Sequence, residues 1–352
     1  MKKVTIILIT LVVIFCSMSS FTYKETVKYL DSRGTTDQLV ELECTNPQDL
    51  ITSVGMHGKL SRGTYIVRES CTIGEMPNPP FEAGGIGISE DVHIIICDGV
   101  TLTVNGGFSN TGYKRDNTGI LYLHGVKNGQ CKVIINGLKH EKECLGENYA
   151  NGYGVELSRL NIYGCDVTIT GHKGLQGKAP LDASGKDGYS GVYNTELTIY
   201  NGNVTVIGGD GGDSAEKSGT KCKNDGGTGA DAIQKSIVTV MGGTLTMKGG
   251  NGGTNLYQSN GSDGNPGKAI DSSTRFVNDS NVKFIDCATN DQLKSYYSAR
   301  DHKDVLVKSN QNLQVATAFS NAPNLLLIGL SVVLIAIVIV ILRRKKSKKR
   351  IT

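Results

Sequence analysis

The chain has 352 residues, of which 45 are glycine, seven proline and none tryptophan. That composition fits a turn-rich all-β protein better than a helical enzyme. The formal charge of +4 misleads, because seven basic residues lie in 343–350 and two at Lys2-Lys3, leaving 28 basic against 33 acidic residues elsewhere. A balance of about −5 over that remainder excludes a nucleic-acid footprint.

Residues 1–19 read as a signal peptide: Lys2-Lys3, an apolar run over 4–15, and small residues Ser17 and Ser19. Segment 20–90 is assigned as an N-terminal cap and first coil. It includes a short predicted helix at 46–54 and strands over 60–73, of which Gly63-Thr64-Tyr65-Ile66-Val67 is the clearest. Gly85-Ile86-Gly87-Ile88 and the run at 92–96 open the regular part of the chain.

From 91 to 288 a unit repeats. Leu102-Thr103-Val104, Val133-Ile134-Ile135, Val167-Thr168-Ile169, Val204-Thr205-Val206, Leu245-Thr246-Met247 and Val282-Lys283-Phe284 are spaced by 31, 34, 37, 41 and 37 residues. A drifting period with a constant signature indicates a fixed scaffold carrying variable insertions, which is the mark of a solenoid. A companion ladder aligns Gly119-Ile120, Gly154-Val155, Gly191-Val192, Ala232-Ile233 and Ala269-Ile270. A third run appears at Leu160-Asn161-Ile162-Tyr163, Leu197-Thr198-Ile199-Tyr200 and Val238-Thr239-Val240-Met241. Three short period-two strands per unit describe coils that stack strand on strand.

This pattern resembles right-handed parallel β-helix proteins of the pectate-lyase-like superfold, above all the glycine-rich, non-catalytic surface proteins of bacteria and parasitic protists. The resemblance covers about 85–290 and implies an all-β, right-handed parallel β-helix with an N-terminal cap. It carries architecture and little activity, since one superfold hosts many functions.

Residues 289–324 read as a C-terminal cap and stalk. Segment 325–342 is uncharged and nearly all apolar, and the basic tail 343–352 follows at once. Taking in the residues before it, the segment is long enough for one C-terminal transmembrane helix. The basic cluster belongs on the cytoplasmic side, and 325–350 would contact membrane lipid. The expected topology is a single-pass plasma-membrane protein with its N-terminus outside. No Leu-Pro-x-Thr-Gly-like motif precedes the apolar segment, which argues against cell-wall sorting.

Of nine cysteines, eight lie beyond the signal. Cys131 and Cys165 each sit two residues before an aligned valine, so a β-helix would stack them on neighbouring coils. A disulfide and a reduced thiol pair both remain open. Sequons at Asn203, Asn260 and Asn278 are candidate N-glycosylation sites.

The insertions 106–118, 137–153, 171–190, 208–231 and 249–268 are expected at one corner of the solenoid, forming its interacting surface. Gly208-Gly209-Asp210-Gly211-Gly212-Asp213 matches half of a calcium-binding glycine repeat, which makes Asp210 and Asp213 candidate metal ligands and calcium the one candidate cofactor. The neighbouring Gly249-Gly250-Asn251-Gly252-Gly253-Thr254 lacks the carboxylates. The bland alternative is glycine for turns and aspartate for solubility.

For catalysis, Asn194-Thr195-Glu196 and Gly171-His172-Lys173 are near misses of pectin-hydrolase motifs, and no Asp-Asp pair occurs. No catalytic residue is assigned. The aligned Tyr163 and Tyr200, continued by Met241, suit either fold stacking or a glycan track. The sequence therefore points to adhesion or recognition of an extracellular glycan, matrix or host surface protein. The alternatives are a polysaccharide lyase or glycoside hydrolase, and a structural coat.

Overall fold

The computed structural model describes residues 24–30, 39–45, 59–74, 86–88, 90–110, 119–126, 130–137, 152–178, 183–216, 224–257, 261–277, 282–286, 292–293 and 312–317. All lie in one compact unit, 1–317. The expected signal, the 46–54 helix, the 325–342 span and the basic tail fall outside the described residues. Among the described residues there is no helix, and so none long and apolar enough to cross a membrane.

The chain begins with a hairpin, β1 (Lys24–Leu30) and β2 (Leu39–Thr45). Coils follow. The first is β3 (Lys59–Leu60), β4 (Gly63–Val67) and β5 (Cys71–Ile73); the second is β6 (Ile86–Ile88), β7 (Val92–Ile96) and β8 (Thr101–Asn105). The third is β9 (Phe108–Ser109), β10 (Ile120–Gly125) and β11 (Lys132–Asn136). The fourth is β12 (Val155–Glu156), β13 (Arg159–Tyr163) and β14 (Asp166–Thr170). The fifth is β15 (Val192–Tyr193), β16 (Glu196–Asn201) and β17 (Asn203–Ile207), and the sixth is β18 (Ile233–Gln234), β19 (Ile237–Val240) and β20 (Thr244–Lys248). Then come β21 (Arg275–Val277), β22 (Val282–Asp286), β23 (Gln292–Leu293) and β24 (Asn312–Thr317).

Each strand from β3 to β17 pairs in parallel with the strand three places later, giving three sheets of stacked parallel strands. The arrangement is consistent with a parallel β-helix. The residues choose their faces by period two. In β8, β11, β14, β17 and β20 the inward columns are Leu102–Val133–Val167–Val204–Leu245 and Val104–Ile135–Ile169–Val206–Met247. All ten are buried, while Thr103, Ile134, Thr168, Thr205 and Thr246 form the half-exposed column between them. Burying each such aliphatic side chain stabilises the fold by roughly 1.5–3 kcal/mol relative to exposing it, and a stack of coils repeats that gain at every level. Stacking begins at β3, within the segment assigned to cap and first coil.

Three sequence alignments need correction. The partner of Val155 in the preceding coil is Phe108, not Ile120, which belongs to β10 in the second sheet. Gly106 and Gly107, both at positive φ (100° and 71°), turn the chain directly from β8 into β9. The insertion of that coil therefore follows β9 and does not share the corner of the later ones. Finally, β22 does not stack in parallel on β20: the antiparallel β24 lies between them. The open edge of β20 is thus closed by a strand from far down the chain, which relieves the liability of an unpaired edge.

The hairpin lies on the outer face of the second sheet, β1 against β10 and β2 against β4. Its register pairs Val27 with Leu42, Lys28 with Glu41 and Tyr29 with Val40. On that sheet Ile66, Ile95 and His124 alternate with the core residues, facing out of the solenoid, yet are buried.

Candidate functional surface: a layered glycine bundle

The insertions after β14, β17 and β20 are ordered layers. Each runs out and back: 171–177 with 185–191, 208–214 with 226–232, and 249–255 with 261–267. Neither helix nor strand, they hydrogen-bond to neighbouring segments at every third residue. Gly171, Gly174 and Gly177 donate their N–H to the carbonyls of Ile207, Asp210 and Asp213 (2.9, 2.7 and 2.9 Å). Gly208, Gly211 and Ser214 do the same to Lys248, Asn251 and Thr254 (2.8, 2.8 and 2.9 Å). The returning segments repeat the pattern, with Gly185 and Gly188 donating to Asp225 and Thr228 (both 2.9 Å). Out and back segments are tied to each other as well, Gly227 N–H to Gly212 O at 2.8 Å and Gly212 N–H to Lys186 O at 2.8 Å.

A three-residue period without internal hydrogen bonds is that of extended polyproline-II-type segments, about 3.1 Å per residue. Two of every three positions face other segments. At Gly211 a Cβ would fall against the carbonyl oxygen of Gly227, and at Gly174 against that of Lys186, both far inside van der Waals contact. Glycine is required there by close approach of backbone to backbone, not by turn geometry. The remaining third position points outward, giving columns such as Lys173–Asp210–Asn251, Gln176–Asp213–Thr254 and Asp187–Thr228–Asn265.

The aspartates of these columns act as staples. Asp210 Oδ1 accepts the Asn251 N–H at 2.7 Å, and Asp213 Oδ1 that of Thr254 at 2.9 Å. Asp187 holds Thr228 (2.7 Å), Asp225 holds Ser262 (2.8 Å) and Asp231 holds Lys268 (2.6 Å) by the same bond to the next layer. The Thr254 N–H foremost, with help from the Lys173 ammonium 3.4 Å away, keeps the Asp213 carboxyl below the ordinary carboxylate range. Burial pushes Asp231 the other way. Asp210 and Asp213, the candidate calcium ligands, lie on one segment with one oxygen each engaged by backbone. Among the described residues no three His, Cys, Asp or Glu side chains converge on a point where a metal could sit.

The other sequence candidates fall elsewhere. Tyr163 and Tyr200 stack at 4.4 Å, and His124 extends the column at 4.8 Å from Tyr163. Tyr163 is buried, while Met241 at the far end is 49% exposed. A second stack, Tyr153 on Tyr193 at 4.1 Å, ends in Lys235, whose Nζ is 2.9 Å from the Tyr193 hydroxyl. Cys131 and Cys165 are buried free thiols with Sγ atoms 3.0 Å apart. Asn203 opens β17, its amide donating to Asp166 (2.9 Å) and accepting from Thr244 (2.9 Å). Asn260 and Asn278 lie outside the described residues. Of the near-miss motifs, Glu196 is paired with Arg159 at 2.8 Å on the second sheet, whereas His172 sits in the first glycine segment.

No family model, curated protein or solved structure matches this chain.

The sequence held a signal for the bundle that loop-based reading passes over. Glycines at 208, 209, 211 and 212, then at 249, 250, 252 and 253, follow a three-residue period. Alanine at 230 and 232, and Asp, Asn or Thr at 210, 213, 228, 231, 251 and 254, complete it.

Proposed function

We propose that the chain is a single-pass cell-surface protein whose ectodomain is a right-handed β-helix of the pectate-lyase-like class, acting in adhesion or recognition without catalysis. The outward columns of the glycine bundle form its binding face for an extracellular glycan, matrix or host surface protein. One observation carries this reading: backbone-to-backbone packing and the aspartate staples hold side chains at fixed positions on an ordered face. A surface already ordered before contact loses little conformational entropy on binding. The apolar segment 325–342 followed by basic residues supports the membrane anchor.

A structural coat is the second reading, favoured by the same aspartates, since each is engaged in tying one layer to the next. A lyase or hydrolase finds support only in the fold resemblance and the near-miss motifs.

The test is a glycan and extracellular-matrix array probed with the full chain in detergent, with and without calcium, and polygalacturonate cleavage measured in parallel. Saturable binding without product is expected. Product would favour the enzyme, and silence in both assays the coat. Binding that disappears on chelation would bring calcium back to Asp210 and Asp213.

A further inference from the structure

The returning segments hand hydrogen bonds from layer to layer in a fixed register. Gly188 N–H donates to Thr228 O (2.9 Å), and its counterpart Gly229 donates to Asn265 O (2.8 Å). The third member of that column is Pro266, which has no N–H to offer. One turn earlier, Gly185 and Gly226 donate to Asp225 O and Ser262 O (both 2.9 Å), and the third member is Asp263.

These two columns must be glycine while another layer follows. A Cβ on Gly185 or Gly188 would strike the carbonyl oxygens of Gly212 and Gly209 in the next outgoing segment. On Gly226 or Gly229 it would strike those of Gly253 and Gly250. Only in the last layer do side chains stand at these positions, and by the same register their Cβ atoms occupy the place a fourth segment would need. Asp263 also closes a donor on the outgoing side: its Oδ1 accepts the Asn255 N–H at 2.7 Å. The counterparts of Asn255, Gly177 and Ser214, donate instead to the next layer.

We propose that the third loop is a built-in terminal layer, in which Pro266 and Asp263 bar a glycine-rich segment of a second copy of this chain from adding to the bundle. Unprotected edges of stacked backbone recruit further chains, and proline and charge are the means by which strand edges are guarded. Here the same chemistry guards an edge made of polyproline-II-type segments. The blocked occupant is the bundle of another copy because its glycine columns have the matching register.

The test compares the full chain in detergent with its D263G/P266G and P266A variants by sedimentation velocity over a range of protein concentration. The wild type is expected to show no association through this edge. D263G/P266G is expected to associate at least tenfold more strongly, with new hydrogen-exchange protection at Gly252, whose counterparts Gly174 and Gly211 donate to the following layer. P266A restores the N–H but keeps the Cβ, so it is expected to behave as wild type. Should the double variant fail to fold, the wild type itself carries the test: its Gly252 amide is expected to exchange at one rate at every protein concentration, and protection that grows with concentration overturns the proposal. A folded glycine variant that associates no more than the wild type overturns the proposal, as does P266A associating like the glycine variant.

Discussion

The Asp210 carboxylate accepts the Asn251 backbone N–H at 2.7 Å across 41 residues of sequence. Asp213 and Thr254 repeat the bond three residues on. These bonds make the glycine segments continuations of the solenoid and set the side-chain lattice on which the proposed recognition rests.

Close approach makes glycine indispensable inside the bundle. Gly211→Ala is expected to destabilise the protein by about 1–3 kcal/mol or more, the range for forcing atoms into packed space. Gly99 has φ 73° but nothing near its missing Cβ, so Gly99→Ala should cost only about 1–2 kcal/mol, the left-handed backbone penalty. Denaturant unfolding midpoints of the two variants measure the difference.

Two staples should titrate in opposite senses. Asp213 has a lowered folded pKa, so its contribution is complete above the unfolded value of about 3.9. That contribution is lost as pH falls through the lower folded value. Asp231 has a raised one, so ionisation above about 3.9 works against the fold. At pH 7, Asp213→Asn is expected to lower stability, whereas Asp231→Asn should raise it or leave it unchanged. Unfolding of both variants at pH 7 and pH 3 reads the sign.

His93 Nδ1 lies 3.0 Å from His124 Nε2, and a hydrogen bond between them needs at least one neutral ring. Burial lowers the His93 pKa, opposed by the charge of Asp91. A His with a depressed folded value costs stability as pH falls from about 6.5 toward that value, because the unfolded chain takes up the proton first. His93→Gln should flatten the stability profile between pH 7 and pH 5. An unchanged slope would remove His93 from the account.

Burial pushes the Cys165 thiol well up, and its neighbour Cys131 adds to the effect. The thiolate is the reactive form and both sulfurs are buried, so neither thiol of the pair should react with iodoacetamide in the folded protein. Both should react once it is unfolded without reductant. Resistance after unfolding would mean that the pair is oxidised in the isolated protein.

The inward columns were legible because β-branched and aliphatic residues at period two leave little choice of face: Val133, Val167, Val204 and Leu245 stack as their spacing implies. Ile120 was misplaced because a Gly-Ile step looks the same at the start of either sheet, and only the paired glycines at 106–107 betray the earlier turn. The β24 insertion was hidden, since an antiparallel partner drawn from 312–317 leaves no mark in the repeat. The bundle escaped notice for a different reason. Its packing is carried by backbone, so the residues that specify it are those without side chains, and glycine is commonly read as a turn. Asp210 and Asp213 read as candidate ligands from the local glycine motif alone. Their acceptor role depends on a neighbouring layer that the local motif does not reveal.

The most direct test of this account is backbone hydrogen exchange across the glycine segments of the intact protein. The amides of Gly174, Gly211, Gly226 and Gly253 all donate to other segments at 2.7–2.9 Å, so they should exchange as slowly as those of Val204 and Leu245 in the strands. Exchange at the rate of an unstructured chain would mean that the layers do not persist in solution, and a recognition surface built on them would fall with them.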